Sequence, residues 1–259
     1  MRIALGIEYD GTHFCGWQSQ TSLCGVQDVL EAAVVKLVGQ EVRVHAAGRT
    51  DTGVHALMQI VHFDCTILRP ITAWVRGVNA FLPKTVRVLW AKSVADDFHA
   101  RYSATLRSYQ YLLINHFTAP AIYADKAGWY HSPLNVTAMQ EGIAHLIGEH
   151  DFSAFRASQC QARSPTRHLS VATITAYESF IIFNFSANAF LQHQVRNMVG
   201  ALIYVGNGKF APSKIKELLM TKNRTLSPPT FSPNGLYLTG VNYNATFELP
   251  NTQRALAIF

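Results

Sequence analysis

The strongest constraint on this chain is an order of hydropathy patterns that runs twice. Residues 2–9 (RIALGIEY) place Ile3, Leu5 and Ile7 at alternate positions, the period of a half-buried strand, and the DGT that follows stops it. From Val26, VQDVLEAAVVKLVG sets Val26, Leu30, Ala33, Val34 and Leu37 on one helical face and ends at Gly39, a residue suited to close a helix. Strand patterns VRVHAA and MQIVHFDC come next, then a helix from Pro70 to Leu82, then the strand VRVLWAKS. The first part reads β-α-β-β-α-β. From Ser108 the order restarts with the strand SYQYLLIN, the helix NVTAMQEGIAHLIGEH, the strands SVATITAYE and FIIFNFSA, the helix FLQHQVRNMVGALIYVG and the strand GLYLTGVNY. No sequence repeat accompanies it. A helix-on-sheet unit of ferredoxin-like type used twice accounts for this order, and so does a single large mixed sheet.

A chain of 259 residues can form one large domain or two of about 100 to 150 residues, and two are expected here, 1–104 and 105–259. With 49% hydrophobic and 15% charged residues the chain can bury a core large enough to offset its ordering entropy, which excludes intrinsic disorder. No run of 18 predominantly apolar residues exists, and Glu8 and Asp10 interrupt the opening where a signal peptide would be apolar. A soluble, cytoplasmic protein with no membrane partner is the expectation. Cys15, Cys24, Cys65 and Cys160 are scattered and form no CxxC, which fits a reducing compartment. The net charge of +6 suits a polyanionic partner, although many ordinary enzymes are as basic. Its location says more. Residues 1–100 hold nine basic and nine acidic side chains, so the whole excess belongs to residues 101–259.

The densest chemistry lies in AAGRTDTGVHA, residues 46–56, with Arg49, Asp51 and His55 between two glycines. A carboxylate beside an Arg stays ionised at neutral pH and can serve as nucleophile or base; the plain alternative is a turn in which Asp51 caps its own backbone. Asp51-Thr52-Gly53 also spells the DTG of aspartic proteases, but no second DTG or DSG supplies a partner carboxylate, and an adjacent Arg opposes the proton sharing that such a pair needs. On the helix from Phe190, His193, Arg196, Asn197 and Gly200 form a polar stripe without an acid of its own. Arg196 therefore takes an anion from elsewhere, a phosphate or a carboxylate such as Asp51, or the stripe is simply a solvated face. Tyr109 and Tyr111 share one face of a strand, where an aromatic ring can stack on a base or belong to the core. FHARYSAT adds His99 and Arg101, and QARSPTRHL adds Arg163 and Arg167. Residues 209–224 hold Lys209, Lys214, Lys216, Lys222 and Arg224 against Glu217 alone, which makes a face able to track phosphates. There is no P-loop, dinucleotide GxGxxG, HExxH or GxSxG, and no zinc spacing among the His and Cys residues.

YDGTHFCGWQ, AGRTDTGVHA, FHARYSATLRSYQY, FLQHQVRNMVGAL and GLYL follow one another in this order, and together they closely resemble the tRNA pseudouridine synthase I (TruA) family. The resemblance implies isomerisation of uridine to pseudouridine in the anticodon stem-loop of tRNA, at positions 38 to 40, without metal or cofactor. It implies a homodimer and an α+β fold of two ferredoxin-like domains sharing an extended, mostly antiparallel sheet with a central cleft for the catalytic Asp. That Asp falls on Asp51 as nucleophile. Arg49 matches the arginine that displaces the target base, and Tyr109 the tyrosine that stacks on the uracil and takes up a proton. Arg196 matches the arginine that pairs with the nucleophile, and Leu236 the apolar residue beside the base. His193, Lys214 and Lys216 are the further expected contacts to the RNA. A non-catalytic tRNA-binding or chaperone protein of the same fold is the alternative. Cys15, Cys24 and the QHQ of the helix motif depart from the family's commoner residues without touching these side chains.

Overall fold

Side-chain spacing becomes backbone along most of the chain. In the computed structural model, which describes residues 1–256, the strands and helices are β1 (Arg2–Tyr9), α1 (Val26–Val38), β2 (His45–Ala46), β3 (His55–Asp64), α2 (Ile71–Phe81), β4 (Val86–Val94), β5 (Ala104–Asn115), β6 (Gly128–Tyr130), α3 (Val136–Ala144), β7 (Gly148–Asp151), β8 (Thr166–Tyr177), β9 (Phe180–Ala187), α4 (Gln194–Gly206), α5 (Lys214–Thr221) and β10 (Leu236–Tyr243). The class is mixed α+β. Two units form, one of Met1–Leu106 with the residues from Tyr237 on, the other Arg107–Leu236. A single division after residue 104 differs from this at the last strand. β10 joins the first unit because Tyr237 and Leu238 pair in parallel with His55 and Ala56 of β3.

In the first unit the strand order is β4-β1-β3-β10, with β1 antiparallel to both β3 and β4, and β2 a short addition on β3. β1 is not half-buried as its alternation suggests; Ile3, Ala4, Leu5 and Ile7 are all fully covered. Gly6 explains the second covered face, since a Cβ there would stand 2.2 Å from Trp90 Nε1, and the indole instead lies across the strand. α1 starts at Gly25, whose N–H donates to the Asp28 carboxylate at 2.8 Å, a charge well placed for the helix dipole. It ends where Gly39 turns left-handed, with φ 71°. α2 carries Trp74 and Val78 inward, and the Trp74 ring meets Phe63 edge-on at 5.5 Å. Burying rings of this size is worth about 2–3 kcal/mol each.

The second unit is an antiparallel sheet, β5-β9-β8-β7, with β6 added in parallel on β5. β9 alternates strictly, and Ile181, Phe183, Phe185 and Ala187 form its buried face. α3 packs on β8 and α4. α3 is shorter than its sequence pattern, which runs on to His150; the chain leaves the helix at Ala144, and Gly148 at φ 107° opens β7. α4 is buried around almost its whole circumference, so the stripe of Asn197 and Gly200 is no solvated face.

Cys15 and Cys24 are joined as a disulfide, with Cα atoms 5.4 Å apart, contrary to the reading of four separate thiols. The intervening loop doubles back and Cys15 N–H donates to Cys24 O at 2.9 Å. Cys65 and Cys160 are buried and free. Among the described residues no helix is long and apolar enough to cross a membrane.

Candidate active site

The acidic loop takes its shape from the strands on either side and from residues far away in sequence. Val54 N–H donates to Asp51 O at 3.1 Å, closing a turn whose Gly53 has φ 77°. Thr50 is buried; its hydroxyl meets Tyr9 Oη at 2.8 Å, and its carbonyl accepts Trp17 N–H at 2.9 Å. Burial pushes the Tyr9 phenol up to about 12, so it remains a neutral hydroxyl. Gln59, fully buried on β3, donates to Gly48 O at 2.7 Å. Gly11 and Gly16 let the first loop approach: a Cβ on Gly16, itself at φ 94°, would stand 2.6 Å from Thr50 O, and one on Gly11 would stand 2.0 Å from Val54 O. His55 begins β3 with Nδ1 accepting Gly11 N–H at 3.0 Å, and its ring stacks on Tyr237 at 4.7 Å. Asp51 is thus half-buried at the tip of a braced turn, with Arg49 exposed two residues earlier on the same loop.

The second unit positions the other expected side chains. Tyr109 is 9% exposed, and its ring meets Phe190 edge-on at 5.1 Å, tying it to the segment that leads into α4. Tyr111, two residues on, is full core and donates to Ser232 O at 2.9 Å. His193 caps α4 in a left-handed conformation, φ 62°, which a non-glycine residue adopts only when its surroundings enforce it. Arg196 sits in the first turn of α4 and donates through Nε to Phe231 O at 2.8 Å. Leu236 is buried at the start of β10. An open cleft of about 460 Å³ lies beside His193, lined also by Gln159, Gln192, Arg224 and Thr230.

A family model described as tRNA pseudouridine synthase matches residues 6–103 and 143–244. The chain belongs to the tRNA pseudouridine synthase family. It is 62% identical over 258 residues to tRNA pseudouridine synthase A of Methylobacillus flagellatus, covering 100% of this chain and 99% of that protein. It is 55% identical to the tRNA pseudouridine synthase A of Chromobacterium violaceum over 252 residues, covering 97% and 96%. The family match includes the Asp51 loop, α4 and Leu236; Tyr109 lies outside it but inside the alignment to the Methylobacillus protein, which spans the whole chain. Among solved structures, a chain of a Cbf5-Nop10-Gar1 complex aligns with 78% of this chain and 45% of its own length, at 14% identity and a TM-score of 0.34.

For this member of the synthase family the cationic cluster at 209–224 is less open than its sequence suggests. Lys214 and Lys216 stand on α5. Lys214 pairs with Glu217 at 2.7 Å, and Lys222 approaches Asp151 at 3.4 Å. Arg224 turns inward and donates to Ser227 O, Pro228 O, Asn197 Oδ1 and Thr230 Oγ1, so both terminal nitrogens are engaged within the protein. Lys216 is exposed. Tyr9 and Gln59 are further supports of the site to which the sequence reading gave no role, and Asn197, named there only as part of a polar stripe, is a buried one. Their signal is a polar group inside an apolar run, as in MQIVHF, because a buried amide must find partners.

Proposed function

We propose that this chain isomerises uridine to pseudouridine in tRNA, at positions 38 to 40 of the anticodon stem-loop, with Asp51 as nucleophile. The observation that carries the reading is the family match that runs through both the Asp51 loop and α4. The reaction detaches uracil from C1′, turns it and rejoins it through C5. Composition is unchanged, so the step needs neither a redox partner nor an energy source. Asp51 attacks C1′ or assists a glycal route, and either role needs a carboxylate rather than an amide. In this proposal Arg196 pairs with that carboxylate, Tyr109 stacks on the uracil and receives a proton, and Leu236 packs beside the base. Arg49 fills the gap that the extruded base leaves, offsetting part of the few kcal/mol of lost stacking. His193, Lys214 and Lys216 contact the RNA.

The bracing of Gly48 and Thr50 by Gln59 and Tyr9 supports this assignment, since a nucleophile gains from a fixed direction of approach. The order β-α-β-β-α-β in the first unit supports a ferredoxin-like description of that unit. A homodimer acting in the cytoplasm completes the proposal. The test is to incubate the purified protein with unmodified tRNA and map pseudouridine by carbodiimide-dependent reverse-transcription stops. Stops at positions 38 to 40 support the reading; tight binding without stops would move the chain to the non-catalytic alternative.

A further inference from the structure

Arg196 is held from behind by a network that none of the expected roles includes. Its Nε donates to Phe231 O at 2.8 Å, and Phe231 N–H returns to Arg196 O at 3.4 Å. With Nε engaged, the plane of the guanidinium, and so the direction of its two terminal nitrogens, follows the position of the Phe231 carbonyl. That carbonyl belongs to the segment 224–231, which contains no strand or long helix of its own; the Ser227 hydroxyl ties it to Ala154 O at 2.7 Å, and Asn197, Arg224 and Thr230 link it to α4.

Asn197 is the anchor. It is fully buried one residue after Arg196, and its Nδ2 donates to Phe155 O at 2.7 Å. Its Oδ1 accepts the Thr230 hydroxyl at 2.7 Å and Arg224 Nη2 at 3.1 Å. Arg224 Nη2 also donates to Thr230 Oγ1 at 3.3 Å, while Nη1 binds Ser227 O at 3.1 Å and Pro228 O at 2.9 Å. The segment therefore curls around one guanidinium and docks, through Thr230, on the amide beside Arg196. Gly200 permits the approach, because a Cβ there would stand 2.8 Å from Pro229 O. On the far side the Phe231 ring packs against Tyr111 at 5.9 Å, and the Tyr111 hydroxyl holds Ser232 O.

We propose that Asn197, Thr230 and Arg224 are positioning residues for Arg196, setting the Phe231 carbonyl that orients its guanidinium for the reaction. The proposal rests on the reading that Arg196 acts on the catalytic carboxylate. Thr230→Val removes one hydroxyl with little change of shape, and Thr230→Ser returns it. Single-turnover rates at saturating tRNA, their pH dependence and the tRNA Kd are measured for both variants and for Arg196→Lys. Thr230→Val should slow the single-turnover rate about tenfold, the size expected for one lost hydrogen bond, and leave Kd within about twofold. It should also raise the acid limb of the pH–rate profile, as the carboxylate loses a well-aimed cation. Thr230→Ser should restore both rate and profile.

A Thr230→Val enzyme with wild-type rate and pH profile, beside an impaired Arg196→Lys, overturns the positioning role alone. Full activity in Arg196→Lys overturns the reading of Arg196 on which it rests. A Thr230→Val enzyme whose rate falls while its Kd rises in step, with no shift of the acid limb, also overturns the positioning role, since a loss of general structure behaves that way.

Discussion

At Asp51 the turn that carries the carboxylate is held by its neighbours. The Tyr9–Thr50 hydroxyl pair is buried at the preceding residue, and Tyr9→Phe would leave Thr50 Oγ1 without that partner. The expected cost is about 1–2 kcal/mol of stability and a several-fold loss of turnover with tRNA affinity kept, measured by thermal melts and single-turnover rates. An unchanged rate would show that the pair does not steer the loop. Away from the site, His62 is packed among His45 and His99, with ring centroids 5.1 and 4.5 Å away, and its Nδ1 accepts Ala100 N–H. Burial first, then the charges of His99, Arg2 and His45, lower its pKa to about 4. The unfolded chain takes up this proton near pH 6.5, before the native state does. Stability is therefore complete above about pH 6.5 and falls as the pH drops towards 4, by about 2 kcal/mol between pH 7 and 4.5. His62→Asn keeps an acceptor without a titrating ring, and denaturant midpoints for it should show a flatter pH dependence; an equal slope in both proteins contradicts this origin.

The element that matters most to function is the turn from Gly48 to Val54, and its template is the loop after β1. Gly16→Ala should place a Cβ against Thr50 O in a backbone region that disfavours it, at a cost of about 2 kcal/mol. The loss should be larger in turnover than in tRNA affinity, and equal losses in both would argue against a local effect. The motif GRTDTG was legible because its residues are contiguous, whereas its support was not, because Tyr9, Gly11, Gly16 and Gln59 reach it only through tertiary contacts. α1 was readable to its end, since the core stripe and Gly39 agree. α3 was not, because EGIAHLIGEH keeps helical spacing beyond the point where Gly148 turns the chain. β6 is too short to carry a period, and the apolar stripe of α5, Ile215 with Leu218 and Leu219, was masked by the surrounding lysines. The inward turn of Arg224 had no sequence signal, since nothing in a charge run distinguishes a cation that docks on Asn197 from one that meets solvent.

For the molecule as a whole, the charge excess found after residue 100 falls mostly in one of the two units. Arg107–Leu236 holds eleven basic and six acidic residues, so five of the six excess charges belong to the second unit. Lys214 and Lys222 spend part of their field on Glu217 and Asp151, which leaves Lys216 as the best candidate in α5 for a phosphate contact. Lys216→Gln should weaken tRNA binding and lower the magnitude of the log K against log salt slope by about 0.7–0.9, one released counterion. An unaltered slope would return α5 to the role of solvated surface. The account stands most directly on Asp51, and the measurement that tests it is release of tritium from C5-labelled uridine in tRNA, because rejoining the base at C5 must expel that hydrogen. The wild-type protein should release it in stoichiometric amounts per modified site, and Asp51→Asn should bind the same tRNA with similar affinity and release none. Appreciable release by Asp51→Asn would contradict the nucleophile, and no release by the wild-type protein bound to tRNA would contradict the activity itself.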